Sequence, residues 1–338
     1  MAAAAVKKTI AIIGATGNQG FSVARTFASL KTWNVRAITR NPSSAKAAQL
    51  KTLGCELYQA NLEDEASLVK AFSGAHAIFL NTDFWMVYRP AVAVGDKSPE
   101  ECNRLAFETE IRHGKNAVRA AMQTPALERL IYSALGPMKR ASGGKYSRSL
   151  HWETKAAIVD YIESEPEAAA KTSLIYLGAY TTNPFLLPRP MPGTGQGGVE
   201  AQYAVVMPLK NTTMFPIIDA EKSTGPFVRA LVEDEPAGKK LLAYDSYLSV
   251  DEMIATWSKV TGKSAQFMGL DMATINKMAG IPFEVLEGPA FMGEFGYMDG
   301  IPKWIEPNDL KNKPTTPSFE EWLRTRDMSE LLGSTFKI

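Results

Sequence analysis

A chain of 338 residues, 45% of them hydrophobic, is long enough for one large domain or two intimate ones around a sizeable core. Its 37 Lys+Arg against 36 Asp+Glu leave a net charge of +1, which argues against a nucleic-acid or membrane surface and for a small molecule or another protein as partner. Cys55, Cys102 and the dispersed His76, His113 and His151 form neither a disulfide framework nor a metal-ligand spacing, no apolar run nears the ~18 residues of a membrane span, and no signal-peptide core precedes the first strand, so a metal-free cytoplasmic protein is expected.

The first half alternates short apolar runs with helical patterns. Strands are predicted at residues 9–13, 35–39, 55–59, 77–80, 129–133 and 173–177, and helices at 21–30, 45–53, 68–72, 103–122 and 154–162. Alternation of this kind implies crossover units and a parallel sheet, and runs such as Ile10-Ala11-Ile12-Ile13 read as strands buried on both faces. After Asn183 the pattern breaks at Pro184, Pro188, Pro190 and Pro192 and at a glycine cluster over 193–198. That cluster follows no strand and reads as a loop, not a second phosphate site. Residues 215–218 and 223–232 read as one more strand and helix returning to the first domain. Ser249-x-x-Glu252 is a capping box opening a helix that should stop at Gly262. The remainder, rich in Met and Phe, reads as short helices forming a lid over the carboxyl edge of the sheet.

Gly14-Ala15-Thr16-Gly17-Asn18-Gln19-Gly20 lies between the first predicted strand and the first predicted helix. In that context Gly14 makes a tight turn, Gly17 lets backbone approach a pyrophosphate, and Gly20 permits close packing of helix on strand. The helix N-terminus offers free N–H groups to the phosphates. The G-x-x-G-x-x-G spacing is that of short-chain dehydrogenases. The architecture that results is an α/β fold: a Rossmann-type doubly wound parallel sheet over residues 1–183 plus 213–235, with a smaller, mostly helical substrate domain over 184–212 plus 236–338. An acidic residue at the end of the second strand would select NAD; here Arg40, in Thr39-Arg40-Asn41-Pro42, supplies a planar cation for the 2′-phosphate of NADP(H). Lys46 reads as part of a solvated helix face. Asn61-Leu62 occupies the place of an adenine contact, Asn81-Thr82 should pass beside the ribose and pyrophosphate, and Gly178-Ala179-Tyr180 should lie beside the nicotinamide. Phe84, Trp85 and Tyr88 read either as core or as the floor of a largely apolar pocket.

These segments, with His113-Gly114-Lys115-Asn116, Tyr132-Ser133-Ala134-Leu135, Glu294-Phe295-Gly296-Tyr297 and the run from Thr315 to Leu323, resemble the NmrA-like family of atypical short-chain dehydrogenases/reductases, fungal type. The resemblance implies one of three kinds of protein. Some members reduce small organic molecules with NADPH, some report redox state to protein partners, and the fungal nitrogen-repression regulator binds cofactor and a transcription factor. Ordinary short-chain dehydrogenases use Ser, Tyr and Lys, the last two four residues apart on a helix. Here Lys155 and Ser133 stand near the expected places, but His151 replaces the Tyr. Spacing of four puts His151 and Lys155 on one helix face. His151 is either the proton donor or a structural residue; Lys155 is a donor or a ribose ligand, as the Lys of isoflavone-type reductases implies; Tyr146, on a nearby glycine-rich loop, is a third candidate. The expected function is an NADPH-dependent reductase of a small aromatic or hydrophobic molecule. The alternative is a non-catalytic NADP(H)-sensing regulator that binds a protein partner.

Overall fold

The computed structural model describes residues 6–183, 185–191, 194 and 201–333. Apart from Thr194, the glycine cluster at 193–198 lies outside them, as does Pro184. A parallel sheet of seven strands forms the centre. Its first six strands are β1 (Lys8–Ile12), β2 (Trp33–Thr39), β3 (Glu56–Gln59), β4 (Ala77–Leu80), β5 (Arg129–Ala134) and β6 (Thr172–Leu177). The seventh is Lys240–Ala243, and the spatial order is seventh-β6-β5-β4-β1-β2-β3.

β1 pairs β2 through Ile10↔Val35 on one side and β4 through Ile12↔Phe79 on the other. The chain therefore reverses its direction of travel across the sheet at β1, and the crevice above this switch point is where doubly wound sheets hold ligands. Ile10, Ala11 and Ile12 are fully buried, because helices cover both faces. One layer includes α1 (Asn18–Ala28) and the helix Ala220–Glu233, which pack on each other with Ser22 Oγ accepting the N–H of Gly225 at 2.9 Å. The other includes α3 (Glu65–Phe72), α5 (Pro99–Met122) and the helix Leu150–Ser164. Two short helices, α2 (Ala45–Thr52) and α4 (Trp85–Val94), complete the first half.

Two placements differ from the sequence reading. Met214–Ile218 does not join the central sheet: it pairs with Ser246–Ser249 and Ala179–Tyr180 in a separate three-stranded sheet. Pro216 lacks the N–H that a central strand needs on its ladder. The place beside β6 is taken by Lys240–Ala243, expected in the lid. The second half of the chain contains a further three-stranded sheet, Ala265–Gly269, Tyr203–Met207 and Arg189–Pro190. It also contains the helix Phe283–Phe295, and the helix Val250–Thr261 with the Ser249/Glu252 capping box at its start and Gly262, φ 68°, at its end.

Candidate functional site

The loops leaving β1 to β6 all open at the carboxyl edge of the sheet. After β1, Gly14 takes φ +74° and accepts the N–H of Gly17 at 2.9 Å, closing the turn. Gly17 is the N-cap of α1, and among the described residues no side chain caps this helix end, so its first-turn N–H groups lack a capping partner there. A Cβ on Gly20 would sit 2.3 Å from the carbonyl oxygen of Gly14, whereas one on Gly17 would meet nothing closer than 3.4 Å. Gly20 is thus required by packing, and Gly17 leaves space above the loop. Thr16 is half-buried in the turn and Asn18 is exposed. Gln19 is buried, and its side-chain amide donates to the Tyr180 hydroxyl while its Oε1 has no partner among the described residues. Burial pushes the Tyr180 phenol up to about 12. This contact ties the first turn of α1 to the loop after β6. There Gly178 is wedged so tightly that a Cβ would lie 2.6 Å from the carbonyl oxygen of Pro216, and Ala179 is half-buried beside it.

At the end of β2, Arg40 is exposed and its guanidinium forms no ion pair among the described residues. Its carbonyl accepts from Gln59 at 3.2 Å, and Thr39 Oγ1 accepts the N–H of Asn41 at 3.2 Å, so the backbone is fixed while the side chain is free. Asn61 is differently engaged. Its Oδ1 accepts the N–H of Glu63 at 3.2 Å, and Asn116 donates to the Leu62 carbonyl at 2.8 Å. Both act in the turn that leads to α3.

The loop after β4 meets the Leu150–Ser164 helix at Lys155. The Lys155 ammonium donates to Asn81 Oδ1 at 3.2 Å, the Thr82 carbonyl at 3.0 Å and the Ser133 carbonyl at 3.3 Å. Behind it, 3.6 Å away, lies the carboxylate of Glu110, which is wholly buried. Glu110 also accepts from Thr82 Oγ1 at 2.6 Å and Thr154 Oγ1 at 2.5 Å. Tyr132, fully buried in β5, presents its ring to the ammonium at 5.6 Å. Burial drives the Tyr132 phenol well above its ordinary value. A buried carboxylate and a half-buried ammonium hold together only when their remaining polar valences are filled, and here they are.

One turn earlier, His151 lies against Trp85 and Phe84, with ring centroids 5.1 Å and 6.2 Å away. Tyr88 stacks on Phe84 at 5.6 Å. The Nδ1 of His151 is hydrogen-bonded to Glu284, and its Nε2 has no protein partner among the described residues and is not sealed from solvent. Tyr146 is not gathered with these groups. Its hydroxyl donates to Glu294 at 2.8 Å and its ring packs edge-on against Phe291 and Phe295 of the helix Phe283–Phe295; burial and the neighbouring carboxylate raise its pKa. A polar cleft of about 300 Å³, lined by Asn18, Arg25, Asp219, Lys222 and Arg326 among others, opens beside the first turn of α1 and includes neither Lys155 nor His151.

Glu110 and Glu284 were not singled out from sequence, and Tyr132 stood there only within a family segment, without a role. Glu110 had a signal: it falls on the buried stripe Ala106, Glu110, Gly114, Ala117, Val118 and Ala121 of α5, where a carboxylate demands a partner. Glu284 lies 133 residues from His151, and no local pattern joins them.

The sequence model of the NmrA-like family matches residues 6–323. The NmrA-like family domain-containing oxidoreductase hkm9 of Aspergillus hancockii is 27% identical over 285 residues, which covers 82% of this chain and 80% of the relative. Among solved structures, NmrA, a negative transcriptional regulator, is similar with a TM-score of 0.68 and 20% identity, covering 96% of this chain and 97% of that one. The same protein has been solved in complex with NADP. The Escherichia coli NADPH-dependent quinone oxidoreductase QOR2, solved with NADPH, is similar with a TM-score of 0.65 and 20% identity, covering 93% of this chain and 98% of that one. At these identities the solved structures share the fold. With the family match spanning nearly its whole length, the chain belongs to the NmrA-like family.

Proposed function

We propose that this protein is an NADPH-dependent reductase of a small aromatic or hydrophobic organic molecule. The observation that carries the reading is the juxtaposition on one helix of an anchored Lys155 and a His151 whose Nε2 is unclaimed, beside Phe84 and Trp85 and at the same sheet edge as the glycine loop. The loop fits a dinucleotide. Among the described residues no side chain caps α1, and Gly17 leaves open space above its first turn. NADP-bound NmrA and NADPH-bound QOR2 share this fold.

In this reading the first turn of α1 binds the pyrophosphate and Arg40 binds the 2′-phosphate. Bound NADPH supplies the hydride. Lys155, fixed by Glu110 and Thr82, orients the ribose. His151 delivers a proton from Nε2, and the aromatic side chains of α4 exclude water from the reacting group. Because Thr82, Asn81 and Ser133 already accept from the ammonium, His151 is the freer proton donor of the two.

One observation favours the second reading, a non-catalytic NADP(H) sensor: the Tyr position of ordinary short-chain dehydrogenases holds a histidine engaged by a lid carboxylate. NADPH absorbance followed against a panel of enones, iminium compounds and aromatic ketones separates the two. The reductase reading expects turnover by at least one compound, lowered ~10²–10⁴-fold in Lys155→Ala or His151→Ala. NADPH binding with no consumption by any compound, and a protein partner recovered at only one redox ratio, would establish the sensor.

A further inference from the structure

The Leu150–Ser164 helix carries both His151 and Lys155, yet its N-cap residue Ser149 provides no side-chain cap. The helix end is capped instead from the lid. Glu284 and Glu287, each 3% exposed, project from the start of the helix Phe283–Phe295. Glu287 accepts the N–H groups of Arg148 at 2.6 Å and Ser149 at 3.2 Å. Glu284 accepts those of Leu150 at 2.9 Å and His151 at 3.0 Å. Ser149 Oγ returns a bond to the Glu284 carbonyl at 2.6 Å.

Glu287 takes only the backbone donors that precede the first helical residue, Arg148 and Ser149, and does not touch the imidazole, whereas Glu284 takes those of the first turn. Glu284 does more: the same Oε1 that accepts the His151 N–H also meets His151 Nδ1. We infer that Glu284 is the positioning residue of His151, fixing the imidazole as its Nδ1–H tautomer and leaving Nε2 as the atom that gains and loses the proton. An ionised carboxylate can only accept, so a ring nitrogen in contact with it must carry hydrogen. In the imidazolium both nitrogens are protonated; transfer of the Nε2 proton to the reduced substrate then leaves a neutral ring still bonded to Glu284 through Nδ1–H. The lid thereby sets the orientation and protonation site of a residue 133 positions away in sequence. Trp85 and Phe84 confine the ring from the side of α4.

This inference rests on His151 being the proton donor, and the experiment keeps the two claims apart. The full chain, labelled with ¹⁵N at its three histidines, is examined by imidazole NMR, with His151→Ala assigning the resonance. Wild-type neutral His151 is expected to carry hydrogen at Nδ1. Glu284→Gln retains an acceptor for the backbone N–H groups but can also donate, and is expected to lose the tautomer preference. Glu284→Asp, which keeps the charge and shortens the reach, gives the same readout should the Gln variant fail to fold. Glu287→Gln, which alters the same helix end away from the ring, should leave the tautomer as in wild type. Turnover in Glu284→Gln should fall about tenfold or more in kcat with KM little changed. Hydrogen on Nε2 in the wild type, or an unchanged tautomer in both Glu284 variants, would overturn the inference about Glu284. Full turnover in His151→Ala would instead overturn the proton-donor reading, whatever the tautomer.

Discussion

Gly20→Ala is the smallest change that the fold should refuse. The added methyl would lie 2.3 Å from Gly14 O, 2.6 Å from Gly14 C and 2.8 Å from Ala15 Cα. Ordinary carbon contacts begin near 3.5 Å, so α1 must retreat from the loop by about 1 Å. The obstructing atoms are backbone of the turn that Gly14 closes, and no rotamer change relieves them. Overpacking typically costs ~1–3 kcal/mol, and the upper end is expected here because α1 also packs on the helix Ala220–Glu233. Gly17→Val is the contrasting variant. Its Cβ meets nothing closer than 3.4 Å and its φ of −91° suits any residue, so the protein should fold nearly as well as wild type while losing dinucleotide binding. Urea unfolding measures the stability of both variants and fluorescence titration with NADPH measures binding. A Gly20→Ala protein as stable as wild type would refute the packing argument. A Gly17→Val protein that binds NADPH normally would place the phosphate site elsewhere.

Glu110→Gln should cost ~3–5 kcal/mol in urea unfolding, because it leaves the Lys155 ammonium, whose side chain is 13% exposed, without its counter-charge; a loss below ~1 kcal/mol would contradict the pairing. Asp245, pushed up to about 6 by burial, binds its proton more tightly in the folded than in the unfolded chain. Its contribution is therefore fully favourable below about pH 4 and is lost as pH rises through about 6, on the order of 3 kcal/mol in all. Asp245→Asn should flatten the pH dependence of the urea midpoint across that window, and an unchanged slope would show that Asp245 does not titrate there.

What could be read from sequence was what neighbouring residues encode. The glycine loop declares itself within seven positions, and the Ser249/Glu252 box with Gly262 bounds its helix from both ends. β1, β4, β5 and β6 were visible as apolar runs because helices bury both faces. Lys240–Ala243 was not, since four residues after a turn carry no period, and only pairing with Leu174–Leu177 makes them a strand. The helix Trp85–Val94, which brings Trp85 to His151, was hidden by Pro90 in its interior. The site followed the same rule. The loops at the carboxyl edge could be located one by one, but the carboxylates that hold Lys155 and His151 come from distant helices, and their roles exist only once the chain has folded.

The central claim, that the glycine loop and Arg40 bind NADPH, is tested most directly by calorimetric titration of the wild type and Arg40→Ala with NADPH and with NADH. A hydrogen bond between a charged pair contributes ~1.5–3 kcal/mol, so wild-type affinity for NADPH should exceed that for NADH roughly 10–100-fold, and Arg40→Ala should erase the difference while sparing NADH binding. Equal wild-type affinities for the two dinucleotides, or a preference that survives the loss of Arg40, would contradict it.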